Sequence, residues 1–336
     1  MKRLHRHGLP LLLVAALGWT ANATAEEWKP NGPIKLVAPV APGTAADATA
    51  RYFAKEIGQA MNTPVVVDNR VGANGILGSD AVAKSAPDGR TLLVVSSPHY
   101  INKSVYAQLP FDPIRDFTPV AGISDGCLVL VVAEDSPFKT LNDLLAHAKG
   151  HPGDLDYSSS GTGSVPHLAA SVMLSQAQAT ATHVPYKGGD QAVADVVSKQ
   201  VTFMFAPLTS AVPLVQAKRL RALAVSARAR VPSLPDTPTV GEAGLQGYEV
   251  VTRFGFLAAA GTDPRAIDRL SKVITTIAAS EGFREFALPK GFVPHVADSA
   301  QYASTRQAEL DKWAEVVRIS GCLLYTSDAA DEGLGV

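Results

Sequence analysis

Residues 33–94 read PIKLVAPVAPGTAADATARYFAKEIGQAMNTPVVVDNRVGANGILGSDAVAKSAPDGRTLLV, and they indicate the architecture more clearly than any other part of the chain. An apolar run over residues 34–40 meets a Pro-Gly turn, a helical pattern follows, and a second apolar run covers residues 64–67. Strand, turn, helix and strand in this order are the opening unit of a parallel α/β sheet. Such sheets bind ligands where strands end and helices begin, and the free N–H groups of a helix N-terminus attract anions there.

The first 25 residues predict a signal peptide. Lys2, Arg3 and Arg6 precede a short apolar run over residues 9–17, and an A-x-A cleavage pattern ends at Ala25. The apolar run is too short to span a bilayer. We therefore expect export with cleavage near Ala25; a membrane-anchored leader is the alternative.

The end of the chain has an unusual composition. Residues 322–336 begin CLLYTSDAADE, which resembles the conceptual translation of a sequencing adapter rather than a protein motif. We predict that the natural sequence is cut off near Gly321 and that this tail is disordered, because it has no apolar period. A natural polar tail is the alternative.

Charge and cysteine content exclude several classes of protein. The formal net charge is −1, so the chain has no electrostatic footprint for nucleic acid. Between the predicted signal and tail the only cysteine is Cys127, which rules out an intramolecular disulfide and lies in an apolar run typical of a buried thiol. With 46% hydrophobic residues the chain can build a core, and its length suggests two domains.

Strand and helix patterns alternate along the mature chain. Two long strand patterns, residues 127–133 and 248–257, are not enclosed in strand-helix-strand units, and we interpret them as crossovers between two lobes. The predicted fold is α/β with two lobes joined by two crossover strands, a hinged clamp: residues 26–126 with 251–321 form the first lobe and residues 127–250 the second. One large single-lobed sheet is the alternative. The predicted strands cover residues 35–40, 64–68, 91–96, 128–133, 155–158, 182–184, 201–205, 220–225 and 249–257, and the predicted helices cover residues 45–61, 76–84, 141–149, 164–176, 190–199, 266–280 and 299–319.

The first candidate loop follows the first predicted strand. Pro42 and Gly43 make the turn, and Gly43 lets a ligand approach the backbone closely. Thr44 is a candidate helix cap, and Asp47 suits the positive end of the helix. An ordinary capped strand-to-helix loop is the alternative.

The second candidate loop follows the third predicted strand. Ser96, Ser97, His99 and Asn102 offer hydroxyls, an imidazole and an amide at the carboxyl end of that strand. A polar turn without a ligand is the alternative.

Three further candidate loops lie in the second half of the predicted fold. The segment YSSSGTGSVPH, residues 157–167, is rich in donors suited to a carboxylate, and the helical pattern after it argues against a flexible linker. In the next loop Lys187 supplies a positive charge, although a solvated surface lysine is the alternative, and a further strand ends near Ala206. The candidates in these loops are Ser160, Gly161, Thr162, Gly163, Ser164, His167, Pro185, Tyr186, Lys187, Gly188 and Ala206.

Signatures of catalysis and of cofactor binding are absent from the sequence. It contains no G-x-S-x-G, G-x-G-x-x-G, P-loop or H-E-x-x-H motif, and no paired C-x-x-C. We therefore predict no enzyme activity, no cofactor and no metal.

The order and spacing of several motifs resemble the periplasmic substrate-binding proteins of tripartite tricarboxylate transporters, the Bug family. The resemblance covers nearly the whole mature chain and includes VVVDNRVGANG, LPFDPIRDF, YSSSGTGSVPHLAA, HVPYKGG and PDTPTVGEAG. It implies a hinged, two-lobed receptor of the periplasmic-binding-protein type (type II-like), located in the periplasm, that holds a small organic acid through backbone and hydroxyl groups. The first-lobe contacts would come from residues 42–47 and 96–102, and the second-lobe contacts from residues 160–164, His167 and residues 185–189.

The chain departs from the family pattern at two positions. Thr44 stands where the family usually has a second glycine after Pro42-Gly43, so a side chain there would narrow or redirect the pocket. Arg253 stands where the family often has tryptophan. If Arg253 faces the cleft, it would bind a second carboxylate; if it faces solvent, it has no such role.

These observations together predict a monomeric receptor that captures a carboxylate and delivers it to a membrane permease. Dicarboxylates, tricarboxylates, acidic amino acids and aromatic acids all fit this expectation. The alternatives are a sensor whose closed form docks on the periplasmic domain of a kinase, and an exported esterase that uses Ser160 or Ser164.

Overall fold

The computed structural model describes residues 28–320. The predicted signal peptide and the predicted adapter-derived tail lie outside the described residues. Within this range, no helix is both long and apolar enough to cross a membrane.

The described residues form eleven strands and ten α-helices. Short 3-10 turns lie at Ala73–Gly75 and Leu288–Lys290. The strands are β1 (Ile34–Ala38), β2 (Val65–Asn69), β3 (Thr91–Val95), β4 (Phe117–Gly126), β5 (Leu128–Ala133), β6 (Asp156–Ser159), β7 (Thr182–Pro185), β8 (Phe203–Pro207), β9 (Leu220–Val225), β10 (Thr252–Ala259) and β11 (Phe292–Ala297). The helices are α1 (Ala45–Met61), α2 (Ile76–Ala83), α3 (Pro98–Val105), α4 (Leu141–Gly150), α5 (Val165–Ala177), α6 (Gly189–Val197), α7 (Leu208–Gln216), α8 (Pro264–Ala278), α9 (Glu281–Ala287) and α10 (Ser299–Ser320).

The strands assemble into two separate sheets. The first has six strands in the order β11-β4-β10-β3-β1-β2, and the second has five in the order β7-β6-β8-β5-β9. We call the six-stranded sheet and the helices packed on it the first lobe, and the five-stranded sheet and its helices the second lobe. The predicted two-lobed α/β fold is confirmed and the single-sheet alternative is wrong. The predicted residue boundaries of the lobes stay a prediction.

Both sheets are mixed, so the expectation of a parallel sheet holds only in part. In the second lobe β6 pairs in parallel with β7 and β8, whereas β5 runs antiparallel to β8 and β9. In the first lobe β1 pairs in parallel with β2 and β3, but β10 runs antiparallel to both β3 and β4. β4 and β11 were not among the predicted strands. The proline and glycines of β4 give a weak strand pattern, which pairing with β10 on one side and β11 on the other overcomes.

The chain passes from the first sheet to the second within one residue. β4 ends at Gly126 and β5 begins at Leu128, so only Cys127 separates them. Its backbone N–H donates to the carbonyl of Gly291 (3.4 Å), and burial raises the pKa of its thiol to about 12. The prediction of a buried thiol is confirmed. The return crossing lies just before β10.

Helices α3 and α10 pack against both lobes. Tyr302 of α10 lies in a core cluster with strand β3 of the first lobe. Farther along the same helix, Trp313 and Val317 join the core of the second lobe, together with Tyr100 of α3. The two helices therefore connect the lobes on the side where the strands cross.

Strand β10 lies between two strands and tolerates no side chain at Gly255. A Cβ there would lie 2.6 Å from the carbonyl oxygen of Ala121 and 3.0 Å from the ring of Tyr302. The strand pairing and the packing of α10 therefore both require glycine at this position.

We expect Gly255→Ala to destabilise the protein by about 1–3 kcal/mol, the usual cost of overpacking. The measurement is urea unfolding, with Gly150→Ala as the matched control because a Cβ at Gly150 meets nothing within 4 Å. The control should lose no stability, since alanine is the better helix former. Equal stability of the two variants would contradict the packing argument.

Candidate functional site

A cavity of about 480 Å³ lies between the two lobes. The first lobe lines it with the start of α1, the turn at Asn74, the start of α3 and residues of β10 and β11. The second lobe contributes Ser160, residues 163–166 and the start of α7, and the crossing at Cys127 lies at the cavity wall. The volume lies within the usual range for small-molecule pockets.

Helix N-termini from both lobes meet at this cavity. Thr44 caps α1 by accepting the N–H of Asp47 (3.2 Å), whereas the N–H groups of Ala45 and Ala46 have no partner within the helix. On the opposite wall Ser164 caps α5 and lines the same cavity. The positive ends of both helix dipoles therefore favour an anion between the lobes.

The structure brings a subset of the predicted site residues to the cavity wall. The remaining ones support the wall or lie outside it. The predicted residues that line the cavity are Thr44, Ser96, Ser160, Gly163 and Ser164.

In the first loop, Asp47 is a buried support rather than a cavity-lining residue. Its carboxylate accepts the N–H of Gly43 (2.9 Å), the amide of Asn69 (2.8 Å) and the guanidinium of Arg51 (2.9 Å). Although burial opposes the charge, these hydrogen bonds lower the pKa of Asp47. Pro42 and Gly43 are exposed and outside the lining, so this loop meets the cavity at Thr44 and the residues after it.

The second loop is a helix from Pro98 onward, which buries three of the predicted residues. Ser97 accepts the backbone N–H of Arg253 (3.2 Å), and Asn102 donates to the carbonyl of Asn74 (3.0 Å). His99 lies between Ser79 and the carbonyl of Pro113, where burial lowers the pKa of its imidazole to about 4. Proline favours the first position of a helix, and this explains why a predicted loop became α3.

His99 does line a second, smaller cavity. This space of about 260 Å³ adjoins the cleft and shares Asn74, Ser96 and Pro98 with it. Its walls are mostly apolar, including Val40, and Ser79 is one of its few polar residues.

The third loop is held from behind by a pair of histidines. The N–H of Gly163 donates to Nδ1 of His167 (3.2 Å), and the His167 ring stacks on that of His183 with centroids 3.9 Å apart. Ser159 in turn contacts His183 (2.7 Å) and accepts the N–H of Gly161 (3.1 Å). Burial, with a contribution from His183, lowers the pKa of His167 to about 4. His167 therefore positions the loop, while Thr162 is exposed and outside the cavity.

The fourth loop and Ala206 do not line the cavity. Pro185, Lys187 and Gly188 are exposed, and the hydroxyl of Tyr186 donates to Asp195 (2.6 Å). Ala206 is fully buried in the core of the second lobe. Because side chains alternate along a strand, it is the next residue, Pro207, that reaches the cavity.

Arg253 belongs to an ion cluster at the crossings. Its guanidinium lies 2.7 Å from Glu309, 3.5 Å from Glu249 and 3.8 Å from Asp125. Although burial opposes the charge, these carboxylates raise the pKa of Arg253. Arg253 is outside the cavity lining, so it is not the cleft-facing arginine that the sequence left open. It does not simply face solvent either, because carboxylates of the protein neutralise its charge.

Several cavity residues were missed in the sequence. Asn74 follows Ala73, and both have left-handed φ (51° and 46°), a strained conformation that concentrates at functional sites. The Asn-Gly pair at the end of VVVDNRVGANG is a turn signal that could have indicated this position. Phe254, Lys290 and Phe292 also line the cavity, but their positions depend on long-range strand pairing that no local pattern reveals.

Among residues 28–320, no group of three or more His, Cys, Asp or Glu side chains is arranged to hold a metal ion.

Two α/β lobes joined by short crossings, with helix N-termini facing the cleft between them, define a hinged solute-binding protein. Comparison with known proteins gives the family. Residues 49–322 match the model of the tripartite tricarboxylate transporter family receptor, and the chain belongs to this family. It is a family of substrate-binding receptors, so the expectation of a protein that is not an enzyme is confirmed.

Individual relatives agree with this assignment. A UPF0065 protein in the tcbD-tcbE intergenic region of Pseudomonas sp. (strain P51) is 37% identical over 90% of this chain and 91% of its own length. Protein BugT of Bordetella pertussis is 32% identical over 93% of this chain and 96% of its own length. The structure of R. palustris Rpa4515 with adipate has a TM-score of 0.76 at 29% identity and covers 87% of this chain and 98% of that one.

We expect Arg253→Met to destabilise the protein by about 3–5 kcal/mol, because it leaves the buried carboxylate of Glu309 without its ion-pair partner. The side chain of Glu309 is 4% exposed and pairs with Arg253 (2.7 Å), whereas Glu249 keeps Lys312 and Asp125 keeps His295 as partners. Urea unfolding measures the loss. Arg228→Met is the matched control, since Arg228 pairs with the same Glu249 (3.2 Å) but its side chain is 79% exposed, and exposed pairs contribute at most about 1 kcal/mol.

Adding Glu309→Gln to Arg253→Met should restore part of that stability. A loss in Arg253→Met no larger than in the control would show that the cluster does not hold the crossings.

The depressed pKa of His167 predicts a pH dependence of stability. A histidine with a folded pKa of about 4 and an ordinary value of 6.5 binds its proton more readily in the unfolded chain. Its contribution is therefore complete above pH 6.5 and is lost as pH falls toward about 4. Urea unfolding between pH 7 and 4.5 measures this.

His167→Asn keeps an acceptor near the Gly163 N–H but does not titrate. We expect its stability to fall less steeply with pH, by up to about 1.4 kcal/mol per pH unit for one proton. The exposed His151→Asn is the control and should retain the wild-type slope. An unchanged slope in His167→Asn would contradict the burial of a neutral imidazole.

Proposed function

We propose that the protein is a periplasmic receptor that captures a small carboxylate between its lobes and delivers it to a tripartite tricarboxylate-type permease. The observation that carries this proposal is the meeting of the α1 and α5 N-termini at one cavity, with Thr44 and Ser164 as their caps. Unpaired N–H groups at helix N-termini are ready-made sites for anions.

The charges around the cavity support an anionic ligand. No aspartate or glutamate is among its lining residues between 28 and 320, and Lys290 is the one charged side chain there. Asp47, the nearest acid in the first loop, is already satisfied by its own hydrogen bonds. A carboxylate would therefore enter without repulsion from a neighbouring carboxylate.

The hinged architecture supports capture by closure. The chain passes between the sheets at Cys127 and again just before β10, and motion there would bring the walls of the cavity together. Closure would remove water from the ligand and strengthen each hydrogen bond to it. The relative with adipate in its structure agrees with a carboxylate as the ligand class.

Export after cleavage near Ala25, a monomeric state and delivery to the permease are parts of the same proposal. Signalling to a sensor kinase remains an alternative use of the closed form. Esterase activity is disfavoured because the hydroxyl of Ser164 caps α5 and donates to the carbonyl of Gly161 (2.6 Å).

A thermal-shift screen of the purified protein tests the proposal. The panel contains mono-, di- and tricarboxylates, acidic amino acids and aromatic acids, with neutral sugars as controls. A ligand at a hundred times its dissociation constant adds about 2.7 kcal/mol, which corresponds to a rise in Tm on the order of 5 °C. A rise with acids alone supports the proposal, and a rise with sugars alone contradicts it.

A matched pair of glycine variants tests the site. Gly163 and Gly153 both have left-handed φ (75° and 88°) and open space where a Cβ would stand, but only Gly163 lines the cavity. We expect Gly163→Val to weaken binding of the best acid from the screen at least tenfold, because the side chain would occupy ligand space. Gly153→Val carries the same backbone cost and should bind normally by isothermal titration calorimetry. Equal affinity of both variants would remove the third loop from the site.

A further inference from the structure

The end of the cavity nearest the crossings differs from the end formed by α1 and α5. Phe254 of β10 and Phe292 of β11 line it, with ring centroids 4.9 Å apart in an edge-to-face arrangement. Both rings lie over the backbone of Gly126, where a Cβ would be 3.1 Å from Phe254 and 3.3 Å from Phe292. The two rings form an apolar surface that we call the aromatic floor.

Lys290 lies next to the aromatic floor and has no acidic partner. Its ammonium donates to the carbonyl of Phe286 (3.2 Å) and lies 4.0 Å above the ring of the same residue. No carboxylate forms an ion pair with it among the described residues. A half-buried cation with only neutral partners would gain from a counter-charge, and more so once closure excludes water.

The segment that carries Lys290 is in direct contact with the second lobe. A Cβ on Gly291 would lie 2.7 Å from Cβ of Leu208 and 3.3 Å from the backbone nitrogen of Thr209, both at the start of α7. The carbonyl of Gly291 also accepts the N–H of Cys127. The segment of Lys290, which lines the same cavity as Phe254 and Phe292, is therefore held where the lobes meet.

We propose that the aromatic floor and Lys290 form a second subsite that selects acids with an apolar body and a second anionic group at its far end. This inference rests on the proposed function, in which the first carboxylate lies at the N-termini of α1 and α5. The rings would contact the body of the ligand, and Lys290 would pair with the distal anion. Short polar acids would leave the floor uncovered and the ammonium without its counter-charge.

Adipate and hexanoate are the probes, because they share a six-carbon chain and differ in the second carboxylate. Isothermal titration calorimetry at constant ionic strength should show that the wild-type protein binds adipate about 10-fold to 100-fold more tightly, the range of a hydrogen bond to a charged group. Lys290→Met should abolish this preference by weakening adipate binding far more than hexanoate binding. Lys290→Arg should retain it, which separates the role of the charge from that of the fold.

Two further variants complete the experiment. Phe254→Ala should weaken both acids by a similar factor, because it removes contact with the shared chain. Lys149→Met is the control, since Lys149 is exposed on α4 outside the cavity, and it should change neither affinity. Circular dichroism melting confirms that each variant is folded.

The outcomes separate this inference from the proposed function. If adipate binds but a folded Lys290→Met keeps the full preference for it, the second subsite is overturned and the receptor function stands. The same conclusion follows if other carboxylates bind but neither probe does, or if Phe254→Ala leaves both affinities intact. If no carboxylate in the screen binds at all, both proposals fail.

Discussion

The ion pair between Arg253 and Glu309 connects the chain crossing before β10 with helix α10. Arg253 lies at the start of β10, just after the chain returns from the second lobe, and Asp125, which also faces it, lies just before the chain leaves the first. Glu309 belongs to α10, whose later residues pack in the second lobe. The guanidinium of Arg253 therefore contacts an acidic residue at the first crossing, Asp125, and one on α10, Glu309. This cluster and the buried faces of α3 and α10 therefore connect the crossings with both lobes.

The position of each cavity residue follows from how neighbouring backbone groups are satisfied. Four polar residues that were predicted as ligand contacts instead form hydrogen bonds within the protein. They are Asp47, Ser97, Asn102 and His167. Buried polar groups need such partners, and loops that present N–H groups to a ligand need supports behind them. Polar residues are therefore needed behind the wall as well as on it.

This explains how much could be predicted from the sequence. The unit β1-α1-β2 and the first and third loops were recognised because turn chemistry and apolar periodicity are local. The identity of the residues that face the cavity depends on details that local patterns do not fix. One is the start of helix α3 at Pro98. Another is the alternation of side chains along β8, which directs Pro207 rather than Ala206 to the cavity. β4 and β11 were not predicted because their stability comes from neighbours distant in sequence. Phe292 at the start of β11, and Lys290 in the turn before it, were therefore not predicted as cavity residues either.

A cleft whose wall is made of helix ends has a consequence for ligand exchange. Backbone N–H groups and hydroxyls attract a carboxylate with partial charges, and water can replace the ligand as their hydrogen-bond partner when the cleft opens again. A wall of arginines would bind more strongly but would resist release and would require acids of its own in the empty state. Arg253 shows this second behaviour, since three carboxylates already surround it. Lys290 alone stands in the cavity without such partners, so within the lining it is the side chain whose charge a ligand can still neutralise.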